Sequence, residues 1–325
     1  MFGKNTEHGK AAIGSEEWSQ DVINRLAFAA VDEQRRTRRW NIFFKVLLAC
    51  YLLALLIIYL PKDWSDFGKT GEQHTALVEL SGVISDDSEA SADTVIEGLR
   101  NAFEDENTAG VILRANSPGG SPVQSAFIYS EIRRLRELHP DTPVYAVVTD
   151  VCASGCYYVV SATDEIYVDG ASIVGSIGVR MDGFGFVDTI KKLGVERRLY
   201  TAGENKGFLD PFKPSKPEEV QHVQLLLQDI HQQFIDAVKQ GRGDRLKDND
   251  DLYTGLVWTG DEAVDMGLVD KIGSPGYVAR EVIGVEEIVD FTEKPDFLKR
   301  LSDRIGVAMA KGISQQLQAG GMNLH

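Results

Sequence analysis

Strand-like and helix-like segments alternate along residues 77–239, and this alternation limits the possible folds more than any other feature of the chain. The predicted strands lie at 77–84, 110–114, 144–149, 165–168 and 197–200. The predicted helices lie at 92–103, 123–138, 154–162 and 217–239. Ser91 is the expected cap of the first helix, while Pro217 opens the last helix and Gly241 follows its predicted end. Strands separated by helices form βαβ units, so the sequence predicts an α/β core.

Residues 42–60 form an apolar run that carries a single charge, Lys45. A helix of this length crosses about 30 Å of hydrocarbon. Four arginines at positions 35, 36, 38 and 39 precede the run, whereas Lys62 and Lys69 beyond it are balanced by nearby aspartates. The positive-inside rule therefore predicts a single-pass protein of the inner, cytoplasmic membrane, with a cytoplasmic N-terminus and an extracytoplasmic or periplasmic main domain.

The same reading divides the chain into five segments. They are a cytoplasmic tail at 1–39, a transmembrane helix at 40–61, a linker at 62–74, a folded domain at 75–290 and a C-terminal tail at 291–325. Within the first segment, residues 15–29 fit either a short amphipathic helix or a solvated tail.

Composition narrows the possible partners and cofactors. The net charge of −15 argues against nucleic acid, because phosphate binding depends on clustered Lys and Arg. The Gly-Phe-Gly at 183–185 lacks the pattern of a dinucleotide-binding loop. Cys152 and Cys156 are interpreted as small, buried residues at a helix start rather than as a disulfide or a metal site, because no further ligand cluster accompanies them. The sequence predicts neither a metal nor a cofactor.

Ser154 and Lys206 are the candidate catalytic residues. Ser154 lies in a small-residue turn between a β-branched strand and an apolar helix, and Lys206 lies 52 residues downstream. A serine hydroxyl needs a neighbouring base, and no histidine occurs between His139 and His222. A lysine that is desolvated among apolar groups can take this role. The pair predicts a serine–lysine hydrolase.

A glycine-rich turn, Asn-Ser-Pro-Gly-Gly at 116–120, follows the second predicted strand and precedes a long helix. Its backbone N–H groups fit either a simple tight turn or a site that holds the oxyanion of a tetrahedral intermediate. Gly155, directly after Ser154, would supply another donor, as in the nucleophile elbow of other hydrolases.

Five motifs follow one another in the chain: the turn at 116–120, Ala-Ser-Gly-Cys-Tyr-Tyr at 153–158, Gly-Ser-Ile-Gly-Val at 175–179, Lys206, and the segment at 257–270 that begins Val-Trp-Thr-Gly-Asp. Together they resemble the signal peptide peptidase A family of membrane-anchored bacterial serine proteases. The resemblance covers about residues 75–290 and the short, single-copy form of the family.

The resemblance implies a crotonase-like or Clp-protease-like α/β fold with a βαβ superhelical core. It implies Ser154 as the nucleophile, Lys206 as the general base, Ser176 as the residue that orients the lysine, and Gly120 and Gly155 as the oxyanion hole. The implied substrates are signal-peptide remnants and other unfolded polypeptides. By analogy with tandem members of the family, Ser154 and Lys206 are expected to meet between protomers of a ring-shaped homo-oligomer.

Three other functions are alternatives to a serine–lysine peptidase, and they differ from it in the residues or the chemistry that they need. A Clp-type peptidase needs a histidine downstream of the serine, and Val179 stands where it is expected. A crotonase-type acyl-CoA enzyme has no use for a serine–lysine pair. A non-catalytic membrane scaffold of the same fold remains open.

Overall fold

The computed structural model describes residues 16–59 and 72–293. The chain divides near residue 70 into two compact units, and each is considered by itself. Most of the predicted linker at 62–74 and of the C-terminal tail at 291–325 lies outside the described residues, as does the end of the predicted transmembrane helix.

The first unit consists of one 44-residue helix, α1 (Glu16–Tyr59). This helix includes residues 16–29 of the segment that fitted two interpretations, and most of the predicted membrane span. In the part of the chain that the structure describes, no helix is both long and apolar enough to cross a membrane.

The second unit is built on one mixed sheet. Its strands are β1 (His74–Ser81), β2 (Thr108–Ser117), β3 (Val144–Ala153), β4 (Glu165–Val168), β5 (Ile173–Gly175), β6 (Val257–Thr259), β7 (Lys271–Ile272) and β8 (Ile288–Asp290). The order is β6-β5-β3-β2-β1-β8, with β4 paired to β3 and β7 paired to β4. The β5–β6 pair is antiparallel, whereas the other pairs are parallel.

Helices connect these strands. They are α2 (Ala92–Glu104), α3 (Pro122–Leu138), α4 (Gly155–Val160), α5 (Val187–Lys192), α6 (Pro217–Arg242), α7 (Gly260–Asp265) and α8 (Pro275–Tyr277), which continues as a π-helical turn (Val278–Ile283). Two 3-10 turns, Gly243–Arg245 and Asp250–Tyr253, follow α6. The predicted α/β core is confirmed.

Two local predictions are wrong. Residues 197–200 form no strand, because no neighbouring strand pairs with them in the described part of the chain, and all but the half-buried Leu199 are exposed. Gly241 lies inside α6, where a Cβ atom would stand 1.9 Å from the Ser161 carbonyl oxygen, so the glycine permits close packing. Gly243, with a φ of 56°, ends the helix instead.

Apolar side chains cover both faces of the sheet. The larger core packs α2, α3, α4 and part of α6 against one face, with Leu99, Ile128 and Val238 fully buried. A smaller cluster on the π-helical turn, Val278 and Ala279, packs with buried side chains from β1 to β4. Burial of this apolar surface provides the main driving force for the fold.

A charged cluster fastens α2 to α3. Glu131, which is 8% exposed, accepts from Arg100 Nε at 2.6 Å and from Arg134 Nε at 2.9 Å. Ser91 caps α2 as predicted, because its hydroxyl accepts from the Thr94 N–H. Hydrogen bonds from Arg134, and then from Arg100, lower the pKa of Glu131 to about 2 although burial opposes the shift.

We predict that Glu131→Gln lowers the free energy of unfolding by about 2 kcal/mol at pH 7. The folded-state pKa of Glu131 is depressed, so its stabilisation is fully present above the unfolded value and is lost as the pH falls towards 2. Urea unfolding of the full-length protein at pH 7 and pH 2.5 measures the loss of stability at neutral pH and its decrease in acid. The matched control is Glu137→Gln, an exposed carboxylate of the same helix. Equal urea midpoints for the two variants at pH 7 would contradict the assignment.

Candidate active site

The carboxyl ends of β2 and β3 lie side by side, and the predicted site forms there. Ser117 of β2 pairs with Cys152 of β3, which brings the glycine turn after β2 next to the turn after β3. Ligand sites of α/β sheets form at this edge, because the loops that follow neighbouring parallel strands meet there.

Ser154 occupies the turn between β3 and α4. Its φ of 54° and ψ of −121° are unfavourable for a residue with a side chain. The Ser154 N–H donates to the Gly175 carbonyl at 2.8 Å, and the Ser154 carbonyl accepts from the Tyr158 N–H at 3.0 Å. The half-buried side chain makes no capping hydrogen bond to α4. The hydroxyl therefore has no protein partner that competes with a base or a substrate within the described residues.

Three glycines surround this turn. A Cβ atom on Gly119 would lie 2.9 Å from the Ser154 Cβ atom and 2.7 Å from the Gly155 nitrogen. A Cβ atom on Gly155 would lie 3.2 Å from the Gly120 nitrogen and 2.5 Å from Ser125 Oγ. The backbone of the glycine turn is thus in direct contact with the serine turn. The backbone nitrogens of Gly120 and Gly155 both lie at this contact.

The N–H groups of Gly120 and Gly155 are available to a ligand. Neither donates to a carbonyl or a side chain among residues 72–293. The adjacent groups are occupied: the Gly119 N–H donates to Ser117 Oγ at 3.1 Å, and the Ser121 N–H donates to the Ile84 carbonyl at 2.8 Å. Two free donors beside an unbonded hydroxyl can stabilise a developing oxyanion.

Ser176 follows β5 and is connected to Ser154 through one peptide group. The Gly175 carbonyl that accepts from the Ser154 N–H belongs to the Gly175–Ser176 peptide, and the Ser176 N–H donates to the Leu256 carbonyl at 2.6 Å. Ser176 has a φ of 54°, so it also holds an unfavourable conformation. The structure brings Ser154, Ser176, Gly120 and Gly155 together at one edge of the sheet.

Lys206 makes no hydrogen bond to any of these four residues. Its side chain is exposed, and its ammonium makes no hydrogen bond or ion pair with any residue that the structure describes. The surrounding segment, which we call the arm and define as residues 179–216, includes α5, none of whose residues is buried. Stacking of Phe186 on Phe212, at 5.6 Å between ring centroids, holds the arm together locally.

The interpretation of the cysteine pair as helix-start residues without a bond is wrong. Cys152 and Cys156 are fully buried, as expected, but they form a disulfide across the Ser154 turn. Spacing alone could not show this bond, because it depends on how β3 turns into α4. In the described ranges, no group of three His, Cys, Asp or Glu side chains could hold a metal ion.

Sequence reasoning missed two residues that shape the site. Gly119 packs against Ser154, and the pair of successive glycines was the signal that could have indicated it. His231 of α6 lies with Nε2 3.1 Å from the Ile177 carbonyl oxygen and so supports the turn after β5. A histidine on a half-exposed helix face carries no such signal in the sequence.

One family model and several known proteins match parts of this chain. The model of peptidase family S49 matches residues 136–284. The chain is 48% identical over 186 residues to a protein of Brucella abortus named Na(+)/H(+) antiporter NhaA, which covers 57% of this chain and 25% of that protein. It is 32% identical over 213 residues to the putative signal peptide peptidase SppA of Enterococcus faecium, covering 62% of this chain and 61% of the relative.

The putative protease MJ0651 of Methanocaldococcus jannaschii is 31% identical over 225 residues, which are 67% of this chain and 71% of the relative. The chain thus spans a quarter of the Brucella protein and most of the archaeal one. Together with the family match across Ser154, Ser176 and Lys206, this coverage shows that the chain belongs to peptidase family S49, the signal peptide peptidase A family.

Proposed function

We propose that the protein is a serine endopeptidase in which Ser154 is the nucleophile and the N–H groups of Gly120 and Gly155 form the oxyanion hole. One observation carries this proposal: an unbonded serine hydroxyl on a strained strand-to-helix turn lies against two backbone nitrogens that have no protein acceptor. This combination suits acyl transfer, because a nucleophile and preorganised donors must converge on one carbonyl.

Lys206 is the proposed general base. It would take the proton of Ser154 Oγ as the oxygen attacks the scissile carbonyl, and it would then give that proton to the leaving amine. The acyl-enzyme would be hydrolysed by water with Lys206 again accepting a proton. Ser176, one peptide group from the nucleophile, is proposed to orient the lysine through its hydroxyl.

The proposed substrates are signal-peptide remnants and other unfolded polypeptides. The name printed for the Enterococcus relative supports the first class. Exposed apolar side chains near the glycine turn also favour apolar peptides: Val83 precedes Ile84, whose backbone pairs with Gly120, and Val123 lies at the start of α3. Extended peptides rather than folded proteins can reach a nucleophile in such a turn.

An extracytoplasmic position is proposed for the peptidase domain, with membrane anchoring through residues 40–61. The arginines before that segment support this orientation. The disulfide at Cys152 and Cys156 supports it independently, because disulfides persist in oxidising compartments.

We also propose that Lys206 acts on the Ser154 of a neighbouring protomer in a cyclic homo-oligomer. Large apolar side chains of the arm are solvent-exposed in the single chain, among them Phe184 at 79% and Tyr200 at 88%. Contiguous exposed apolar side chains indicate an interaction surface. A partner that buried the arm would also desolvate Lys206, which favours its role as a base.

We predict that Ser154→Ala and Lys206→Ala each lower peptide hydrolysis by at least about a thousandfold without unfolding the protein, since a nucleophile and its base act as a unit. Lys206→Arg is expected to fail as well, because a guanidinium does not release its proton. Hydrolysis of a fluorogenic apolar peptide and labelling of Ser154 by a fluorophosphonate measure the effect. A non-catalytic scaffold would leave Ser154 unlabelled in the unmutated protein.

The shared dyad leads to a separate prediction. Chains with Ser154→Ala and chains with Lys206→Ala, each inactive alone, should recover activity when they are co-expressed, because some interfaces would then combine an intact serine with an intact lysine. Differently tagged chains allow mixed oligomers to be isolated before the assay. Mixed oligomers without activity would place the dyad within one chain.

We predict that Gly119→Ala slows fluorophosphonate labelling of Ser154 by about tenfold or more, since small displacements of a reacting group are costly. The added Cβ atom would lie 2.6 Å from the Ala153 carbonyl oxygen and 2.9 Å from Ser154 Cβ, at a φ of 95°. The control is Gly276→Ala in α8, because that exposed position has open space around it and lies outside the arm. Equal labelling rates in the two variants would show that Gly119 does not support the nucleophile.

A further inference from the structure

The Cys152–Cys156 disulfide encloses the proposed nucleophile. Cys152 is the penultimate residue of β3, and Cys156 lies in the first turn of α4. The three residues between them are Ala153, Ser154 and Gly155. The bond thus fastens the end of the strand to the start of the helix directly beneath the turn that presents Ser154.

The backbone of this turn needs support from its surroundings. A non-glycine residue at a φ of 54° and a ψ of −121° is unfavourable and persists only where neighbouring structure determines it. Gly119 packs against one side of the turn, and hydrogen bonds at the Ser154 N–H and carbonyl fix its two ends. The disulfide closes the remaining, inner side.

Packing alone does not account for the bond. Both cysteines are fully buried in the main core, where two free thiols would also serve as small apolar groups. A covalent bond adds a constraint that thiols lack, because it removes the freedom of residues 152–156 to open as a loop. The constraint falls on the residue whose position decides the reaction.

We propose that the Cys152–Cys156 disulfide positions Ser154 for attack, so that the oxidised protein is the fully active form. This inference rests on the proposed function of Ser154. Because neither cysteine has exposed surface, the bond is a lasting positioning element rather than a sensor that reductants reach in the folded protein.

Redox control of the same chain tests this role. A dithiol such as dithiothreitol transfers two hydrogen atoms to the disulfide, which gives two cysteine thiols and the cyclic disulfide of the reagent. The full-length Cys50→Ser protein is the background, since Cys50 is the free, exposed cysteine of the described chain and could form mixed disulfides. One sample is unfolded, reduced and refolded in dithiothreitol, and another passes through the same steps without the reductant.

Two readouts separate positioning from folding. The end point of fluorophosphonate labelling counts the folded, reactive serines, and the labelling rate reports the geometry of each one. We expect the reduced protein to reach a similar end point at a rate lower by roughly tenfold to a hundredfold. The kcat for an apolar peptide should fall with little change in KM, and reoxidation should restore both rates. Thiol counting by mass spectrometry verifies each redox state.

Cys152→Ala and Cys156→Ala in the same background remove the bond without a refolding step. Slow labelling with a full end point in these variants supports the positioning role. Labelling at the rate of the oxidised protein, in either the reduced sample or the variants, overturns it while the proposed function stands. Unfolding of every form without the bond also overturns it, because the disulfide would then serve the fold. Failure of the oxidised protein itself to label removes the proposed function and this inference together.

Discussion

Strand β3 has two partners on the same side, and the arrangement of the site depends on this division. Its first half pairs with β4 up to Val148, and its second half pairs with β5 from Val151 onward. Because of this change of partner, the carboxyl end of β3 lies between β2 on one side and β5 on the other. Ser154 therefore emerges between the glycine turn after β2 and Ser176 after β5.

Buried hydrogen bonds and a buried ion pair connect the elements that lie behind Ser154. Tyr157 of α4 is fully buried, and its hydroxyl donates to the Leu268 carbonyl at 2.6 Å. Burial raises the pKa of Tyr157, so the phenol stays a neutral donor. Nearby, the buried Arg242 makes a bidentate pair with Asp270, whose pKa is lowered by that guanidinium although burial acts against the shift. Paired in this way, the buried charges fix α6 against the turn before β7.

The sequence predicted those structural features that depend on interactions between residues near one another in the chain. The Ser91 cap and the long central strands were predictable, because capping and hydrophobic runs act over a few residues. The four-residue strand β4 was predicted, whereas strands of two or three residues such as β5 and β7 were missed, since they are too short to show a period and form only through pairing. Pairing also decides the opposite case: residues 197–200 have the composition of a strand, but they form none because no described strand pairs with them. Gly120 and Gly155 were recognised by motif, whereas the packing role of Gly119 and the disulfide depend on distances through space.

The two halves of the proposed dyad differ in how much of their environment one chain provides. Ser154 is held by β3, α4, the glycine turn and a disulfide whose two cysteines belong to the main core. Lys206 lies on an arm whose helix α5 buries no side chain. A base must be desolvated and fixed to be effective, and the single chain does neither for this lysine. A division of this kind would give the proposed assembly a purpose: if Lys206 is the base, a protomer with a prepared nucleophile but an exposed base would stay inactive until a neighbour's surface covered the arm.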